Sequence, residues 1–134
     1  MPPVKLMDNE NATMWCYPEK KIIRHQYHKF MSGKIFQEFL MTGTEAMRKY
    51  GATKWLSDDR NNPILSPTDL KWGQTIWFPA TLAAGWKYWA IVQPKAILAK
   101  MTMEEEVKRY AEFGITARLF SDAEEAMIWL ESQL

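Results

Sequence analysis

Cysteine is almost missing from this chain, because its 134 residues include Cys16 alone. A single cysteine leaves no intramolecular disulfide, which suits a reducing compartment. Long apolar runs are missing too: no stretch approaches the roughly 18 residues of a membrane span. Residues 1–12 are polar and lack the apolar core of a signal peptide. We therefore expect a cytoplasmic protein with no transmembrane segment.

An excess of charge of either sign is also missing. The chain has 17 Lys and Arg residues against 16 Asp and Glu residues. Nucleic acids and anionic membrane surfaces usually attract proteins with a strong positive field. The balanced composition favours neither partner, and we predict no binding to nucleic acid.

Recognisable catalytic and cofactor motifs are missing as well. The sequence has no glycine-rich phosphate loop, no nucleophile elbow and no cysteine–histidine arrangement. Its two histidines, His25 and His28, are three positions apart on a predicted strand, so they project to opposite faces and cannot share a metal ion there. We predict no metal, no cofactor and no enzymatic activity, with an enzyme kept only as a third alternative.

What the chain does contain is an alternation of strand and helix patterns. The order β-β-α-β-α-β-α-β-α predicts an α/β fold with a mixed, mostly parallel five-stranded sheet and four major helices. Residues 13–17 and 22–30 form the first two strands, joined as a hairpin. We assign residues 13–134 to a single domain and residues 1–12 to a loosely ordered arm.

The other three strands are predicted at residues 53–58, 88–92 and 116–120. The run at 88–92 is apolar without alternation, as expected for a strand covered on both faces, and we place it at the centre of the sheet. The first helix follows residue 32, and its apolar stripe consists of Phe36, Phe39, Leu40, Met47 and Tyr50. Gly51 ends this helix, since glycine adopts the left-handed conformation without steric cost.

Several local signals refine the helices. Ser66, followed by proline, predicts an N-cap. Pro79 lies inside the same helix and predicts a kink, because proline removes a backbone donor and clashes with the preceding turn. Gly43 predicts a weakness in the first helix of up to about 1 kcal/mol relative to alanine. Capping boxes at residues 102–105 and 121–124 predict the starts of the last two helices.

Three segments carry a resemblance to a known family: KWLSDDRNN at residues 54–62, WFP at 77–79 and GWKYWAIV at 85–92. They resemble a family of small bacterial proteins of STAS-like (SpoIIAA-like) fold, often called STAS or CRAL-TRIO-like domains of unknown function. The resemblance covers about residues 13–134 and implies a fold of strand–helix turns. It implies no particular reaction.

The resemblance also implies one regulatory site. In anti-sigma-factor antagonists of this fold, a phosphorylatable serine begins the helix after the central strand, and Ser66 lies at a similar place. Those proteins carry an Asp-Ser-Ser/Thr-Gly type of motif, whereas this chain has Leu65-Ser66-Pro67-Thr68. Judged from its own residues, Ser66 is a helix cap that contributes about 1 kcal/mol. Phosphorylation of Ser66 is the alternative interpretation.

A cluster of charges, Asp58, Asp59 and Arg60, follows the third predicted strand. The carboxyl ends of strands are where open α/β sheets bind ligands. Two close carboxylates could divide acid and base roles, but neighbouring residues on an extended chain point in opposite directions. A turn with a salt bridge to Arg60 is the simpler interpretation.

Aromatic residues concentrate around the bent helix and the strand after it. Trp72 and Trp77 are five positions apart and so spread over more than one helix face. Core packing accounts for most of these rings, and any ring left outside would form a dimer interface or a ligand groove. The predicted interaction or ligand surface comprises Asp58, Asp59, Arg60, Trp72, Trp77, Phe78 and Trp86.

Three functional hypotheses follow. The first is a non-catalytic, regulatory protein-interaction module that acts as a homodimer or with a partner protein. The second is a carrier of a small apolar or lipid-like ligand, as related CRAL-TRIO domains imply. The third is a hydrolase in which Asp58 or Asp59 works with a histidine, which requires these groups to lie within hydrogen-bond reach.

Overall fold

A six-stranded sheet organises the fold in the computed structural model, which describes residues 2–133. The strands lie side by side in chain order. They are β1 (Val4–Asp8), β2 (Ala12–Tyr17), β3 (Ile22–Tyr27), β4 (Lys54–Asp58), β5 (Tyr88–Val92) and β6 (Thr116–Phe120). The pairs from β1 to β3 are antiparallel, and those from β3 to β6 are parallel. The prediction of an α/β fold with a mixed sheet is confirmed.

Two predictions about the sheet are wrong. Residues 2–133 form six strands instead of five, because part of the predicted arm over residues 1–12 forms the edge strand β1. This strand pairs with β2, and its register shifts between Lys5 and Met7. The irregularity breaks the period-two pattern by which strands are recognised in a sequence. In addition, β5 is the second strand from the far edge, so β3 and β4 occupy the centre.

The four major helices follow the predicted order, but the second is divided by a π-helical turn, and a short helix follows β5. They are α1 (Gly33–Tyr50), α2 (Pro67–Trp72), a π-helical turn (Gly73–Trp77), α3 (Phe78–Ala83), α4 (Lys95–Leu98), α5 (Met103–Ala111) and α6 (Ala123–Glu131). None of the helices described is long and apolar enough to cross a membrane.

The two faces of the sheet are covered by different helices. Right-handed crossovers between parallel strands in chain order place the connecting helices on one face. We call the side packed against α1, α2, α3 and α5 the α1 face, and the side packed against α6 the α6 face. Strand alternation assigns Trp55 to the α1 face and Leu56 to the α6 face.

Pro79 alters the second helix without breaking it. The backbone N–H of Phe78 donates to the Gly73 carbonyl five residues earlier, in the manner of a π-helix. Trp77 and Phe78 both keep right-handed helical angles. The wider turn lies directly before the proline, where it accommodates a ring and a missing donor that a regular α-helix would not tolerate. The expected kink is therefore a division of the helix around a π-helical turn.

Gly43 is not simply a weak point of α1. The residue is buried, and a Cβ atom built on it would overlap the ring of Trp55 and touch the sulfur of Met14. The glycine therefore allows the helix to approach the sheet closely.

The structure confirms one of the three predicted helix N-caps fully and differs from the other two. Ser66 is the N-cap of α2, as expected, and its hydroxyl accepts from the backbone N–H of Asp69 at 3.2 Å. Thr102 occupies the N-cap position of α5 but its side chain makes no capping hydrogen bond. The box predicted at residues 121–124 is wrong by one residue, since Asp122 is the cap and accepts from the backbone N–H of Glu125.

Candidate functional site

A cavity of about 640 Å³ lies on the α1 face at the carboxyl ends of the central parallel strands. The sheet side of its wall includes His25 from β3, Ser57 from β4 and Ile91 from β5. The volume falls within the range of roughly 300–1,000 Å³ that is usual for small-molecule sites. Its position is also where open α/β sheets bind ligands.

Aromatic rings form much of the cavity wall. Phe78 contacts Tyr110 and Phe113, with ring centroids 5.8 and 5.2 Å apart. Trp89 contacts Tyr110 at 4.8 Å and Trp77 at 6.0 Å. Because these rings support one another in edge-to-face and tilted packing, they hold the wall in place.

A chain of three hydrogen-bonded side chains forms the polar end of the cavity. The Trp55 indole N–H donates to Nδ1 of His25 at 2.9 Å, and Nε2 of His25 lies 2.9 Å from Oδ1 of Asp59. The His25 side chain is 2% exposed and the Asp59 side chain is 20% exposed. The carboxylate is therefore the most exposed of the three side chains, and His25 lines the cavity with a nearly buried ring.

The direction of these hydrogen bonds follows from the indole, which can only donate. Nδ1 of His25 must accept, so the ring proton is on Nε2 and is donated to Asp59. Both ring nitrogens are therefore occupied, and neither can take a proton from a ligand. The second oxygen of Asp59, Oδ2, makes no hydrogen bond to any described part of the chain.

Asp58 is oriented away from this site. It is the last residue of β4 and, by strand alternation, shares the α6 face with Leu56. Its carboxylate accepts two hydrogen bonds from Arg60, at 2.9 and 2.7 Å. These bonds raise the pKa of the Arg60 guanidinium. The expected salt bridge is present, and the two neighbouring carboxylates do not form a dyad.

Helix α5 supplies a second polar group of residues. Glu106 is 14% exposed, and its carboxylate forms a salt bridge with Arg109, with the two charged atoms 3.2 Å apart. Burial, and then the nearby charge of Glu106, raise the pKa of the Tyr110 phenol. Tyr110 therefore remains a protonated hydrogen-bond donor at neutral pH. All three residues line the cavity.

Three cavity-lining side chains carry a buried polar atom that has no hydrogen-bond partner in the described residues: Asn62 Oδ1, Trp77 Nε1 and Gln93 Oε1. The amide of Asn62 is oriented by its nitrogen, which donates to the Met31 carbonyl at 3.3 Å. Buried polar atoms in folded proteins are almost always paired. Their concentration around one cavity indicates a place for an external partner.

The structure separates the residues predicted from the sequence. Asp59, Trp77 and Phe78 line the cavity, whereas Asp58, Arg60, Ser66, Trp72 and Trp86 do not. Trp72 packs against Phe36, and Trp86 is buried with its indole N–H donating to the Tyr88 carbonyl. The phosphorylation of Ser66 stays a prediction, and its observed contact is the helix cap.

Sequence reasoning missed several residues of the site. The predicted interaction surface does not include His25, whose expected roles are a metal ligand, which is excluded, or the histidine of a hydrolase, although its place between Ile23 and Tyr27 on alternate positions assigns it to the buried face of β3. Glu106, Arg109 and Tyr110 are spaced three and four apart, which brings them to one side of a helix. This spacing is visible in the sequence, but no neighbouring residue indicates which part of the protein this side of α5 contacts.

Comparisons with known proteins do not name the site. No protein-family model, curated protein or solved structure gives a significant match to this chain. Within residues 2–133, no group of three or more His, Cys, Asp and Glu side chains is arranged to hold a metal ion. The resemblance to STAS-like proteins therefore stays a prediction, and function has to be argued from the cavity itself.

Proposed function

We propose that this protein binds a small, predominantly apolar molecule in the cavity on the α1 face. The observation that carries the proposal is the cavity of about 640 Å³, walled by aromatic rings and closed at one end by the Asp59 carboxylate. This is the carrier hypothesis, and it replaces the interaction module as the function best supported.

The expected driving force is burial of apolar surface. Each square ångström of apolar area removed from water contributes roughly 25 cal/mol, before the cost of association is subtracted. The aromatic wall needs little rearrangement to receive a ligand, since Phe78, Trp89 and Tyr110 already support one another. A preformed site of this kind loses little free energy to ordering on binding.

A hydrolase is less well supported by the same geometry. The convergence that it requires is present for Asp59, which lies 2.9 Å from His25. However, both nitrogens of His25 are engaged, so the free base would be Oδ2 of Asp59, and no hydroxyl of the described residues is hydrogen-bonded to that oxygen. Ser57, the nearest lining hydroxyl on β4, accepts from the Trp89 indole at 2.8 Å. These contacts favour a binding role for the cluster.

The proposal can be tested with N-phenyl-1-naphthylamine, an uncharged apolar probe whose fluorescence increases in apolar surroundings. The wild-type protein should bind it saturably with one site per chain. Gly73→Phe should weaken binding at least tenfold, because Gly73 lines the cavity in helical conformation and a Cβ there meets open space.

Thr75→Phe is the matched control for this experiment. It adds the same ring to the same π-helical turn, at an exposed position that is not part of the cavity lining. Its affinity for the probe should stay within about twofold of the wild type. Absence of saturable binding to the wild type, or equal weakening by both variants, would contradict the proposed function.

A second candidate, the interaction module, is favoured by one specific observation. Ile64, Leu70 and Phe113 line the cavity and are also highly exposed, at 68%, 48% and 56%. Exposed apolar patches often mark protein interfaces. Sedimentation velocity over a wide concentration range tests the homodimer form: a dimer that Leu70→Ser dissociates would support it, and a monomer throughout would remove it.

A further inference from the structure

We propose that the ligand of this cavity carries a positively charged amino group, which binds the Asp59 carboxylate while the rest of the molecule packs against the aromatic wall. The inference rests on the proposed function, because it names the chemical class of the small molecule. Four properties of the cavity lead to it: its charge balance, the orientation of Asp59, its surplus of acceptors and its aromatic rings.

The charged side chains in the cavity lining do not cancel. They are Asp59, Glu106 and Arg109, which leaves a net charge of −1. Arg109 is already engaged with Glu106, at 3.2 Å. The cation next to Asp58 is likewise committed, because Arg60 donates both of its hydrogen bonds to that carboxylate. Of the two carboxylates that line the cavity, Asp59 is therefore the one without a lysine or arginine partner in the described chain.

Asp59 is also held in a fixed position. Its backbone N–H donates to the Val92 carbonyl at 2.9 Å, and its own carbonyl accepts from the backbone N–H of Asn62 at 3.0 Å. Its Oδ1 accepts from His25, whose ring is held in turn by Trp55. These contacts orient the remaining oxygen, Oδ2, before any ligand binds. Preorganised groups of this kind select ligands more sharply than mobile ones.

Of the three unpartnered buried polar atoms in the cavity lining, two are acceptors, Asn62 Oδ1 and Gln93 Oε1, and one is a donor, Trp77 Nε1. Asn62 is bonded to the Asp59 carbonyl, Gln93 directly follows Val92, and each lines the cavity with a buried oxygen that has no partner in the described residues. A protonated amine presents up to three N–H donors and no acceptor. It therefore complements this end of the cavity, whereas a carboxylate or phosphate would add acceptors to acceptors and negative charge to negative charge.

The aromatic wall favours a cation as well. The faces of Trp and Tyr rings attract a cation placed within about 6 Å of the ring centre. Trp77, Trp89 and Tyr110 all line the cavity, and Trp89 contacts the other two rings. A neutral apolar ligand would instead cover Asp59 and leave a carboxylate buried without a counter-charge, which is unfavourable.

The test compares three probes that share one ring system: 1-naphthylmethylamine, 1-naphthylmethanol and 1-naphthoate. Their affinities for the full chain would be measured at pH 7 by isothermal titration calorimetry. The amine should bind at least tenfold more tightly than the alcohol, as expected for a charge-assisted hydrogen bond, and the carboxylate should bind most weakly.

Asp59→Asn tests how much the negative charge of Asp59 contributes to the affinity for the amine. Asparagine keeps an oxygen that can accept from His25, so the hydrogen-bonded chain is preserved while the negative charge is removed. In this variant the amine should lose its advantage, and its affinity should fall to within about threefold of that of the alcohol. Glu38→Gln changes an exposed carboxylate on α1 that pairs with Lys34 and lies outside the cavity lining, so it is the matched control and should leave all three affinities unchanged.

The outcomes distinguish a failure of the amine inference from a failure of the proposed small-molecule binding. If the alcohol binds as tightly as the amine, or if Asp59→Asn leaves the preference for the amine unchanged, the inference is wrong while small-molecule binding stands. If none of the three probes and no neutral apolar probe binds, the proposed function itself is wrong. Circular dichroism of each variant verifies that a loss of affinity does not arise from unfolding.

Discussion

The two faces of this sheet are built from alternate residues of the same strands, yet they differ in what they enclose. The α1 face combines large rings, including Trp55, Trp77 and Trp86, with a cavity. The α6 face combines small and medium side chains, including Leu56, Ala90 and Ala126, in a closed cluster. Small aliphatic groups fill the space beneath a helix completely, whereas rigid rings that brace one another leave space between them.

The difference indicates a division of roles. The α6 face contributes mainly to stability, and the α1 face combines stability at Trp55 with a site at the strand ends. Changes on the α6 face should therefore alter folding alone, whereas changes on the α1 face should alter folding, binding or both according to their distance from the cavity. The predictions below test this contrast.

The largest effect on stability is expected for Trp55→Ala. The side chain is fully buried, packs against Trp77 and Trp86, and holds His25 through its indole N–H. Its removal should cost about 3–5 kcal/mol of unfolding free energy, measured by urea denaturation. Trp55→Phe keeps much of the ring and should cost clearly less. A loss below roughly 1 kcal/mol for Trp55→Ala would contradict the packing of this face.

A matched pair of leucines compares the two faces directly. Leu56 lies in the closed α6 cluster, whereas Leu40, which is also buried, lines the cavity. Leu56→Ala should cost about 3–4 kcal/mol, and Leu40→Ala about 2 kcal/mol, because the second change enlarges an existing space and removes fewer contacts. Equal losses in urea denaturation would mean that the α1 face is packed as tightly as the other.

A matched pair of glycines tests how closely α1 approaches the sheet. Gly43→Ala places a methyl group against the Trp55 ring and should destabilise the protein by about 1–3 kcal/mol. Gly73→Ala adds the same methyl group where a helical residue meets open space, so it should stabilise by up to about 1 kcal/mol. A lower unfolding temperature for Gly43→Ala and a higher one for Gly73→Ala would support this packing. A higher unfolding temperature for both variants would contradict it.

The smallest effect on stability is expected at alkaline pH and is absent at neutral pH. It arises from two buried side chains of the α1 face that lose a proton in alkaline solution. Burial raises the pKa of the Cys16 thiol from 9.0 to about 11, and burial also raises the pKa of the Tyr27 phenol. An acid whose pKa is raised by folding favours the folded state below its unfolded pKa, and this contribution is lost at higher pH. Stability should therefore fall between about pH 9 and 11.

The measurement is the urea midpoint at pH 8, 9.5 and 10.5. Cys16→Ala removes one of the titrating groups and should make the midpoint less dependent on pH, although it lowers stability at every pH. The native thiol should also react slowly with a disulfide reagent at pH 8 and rapidly in urea. Rapid reaction of the folded protein would show that Cys16 is accessible, contrary to its complete burial.

The sequence by itself determined the order of the main elements and several of their ends. Gly51 ends α1 in a left-handed conformation, and Ser66 caps α2, both as predicted. These features were accessible because caps and apolar stripes depend on residues within about one or two turns of one another. The separation of Asp58 from Asp59 was foreseen for the same reason, since strand alternation is local.

Tertiary structure alone decided what the site is. His25 and Asp59 are 34 residues apart, and they meet because β3 and β4 are parallel neighbours in the sheet. The side of α5 that carries Glu106 faces the cavity only because α5 packs beside Phe78 and Trp89. A cavity has no sequence pattern of its own, because it is the space that rings from distant segments fail to fill.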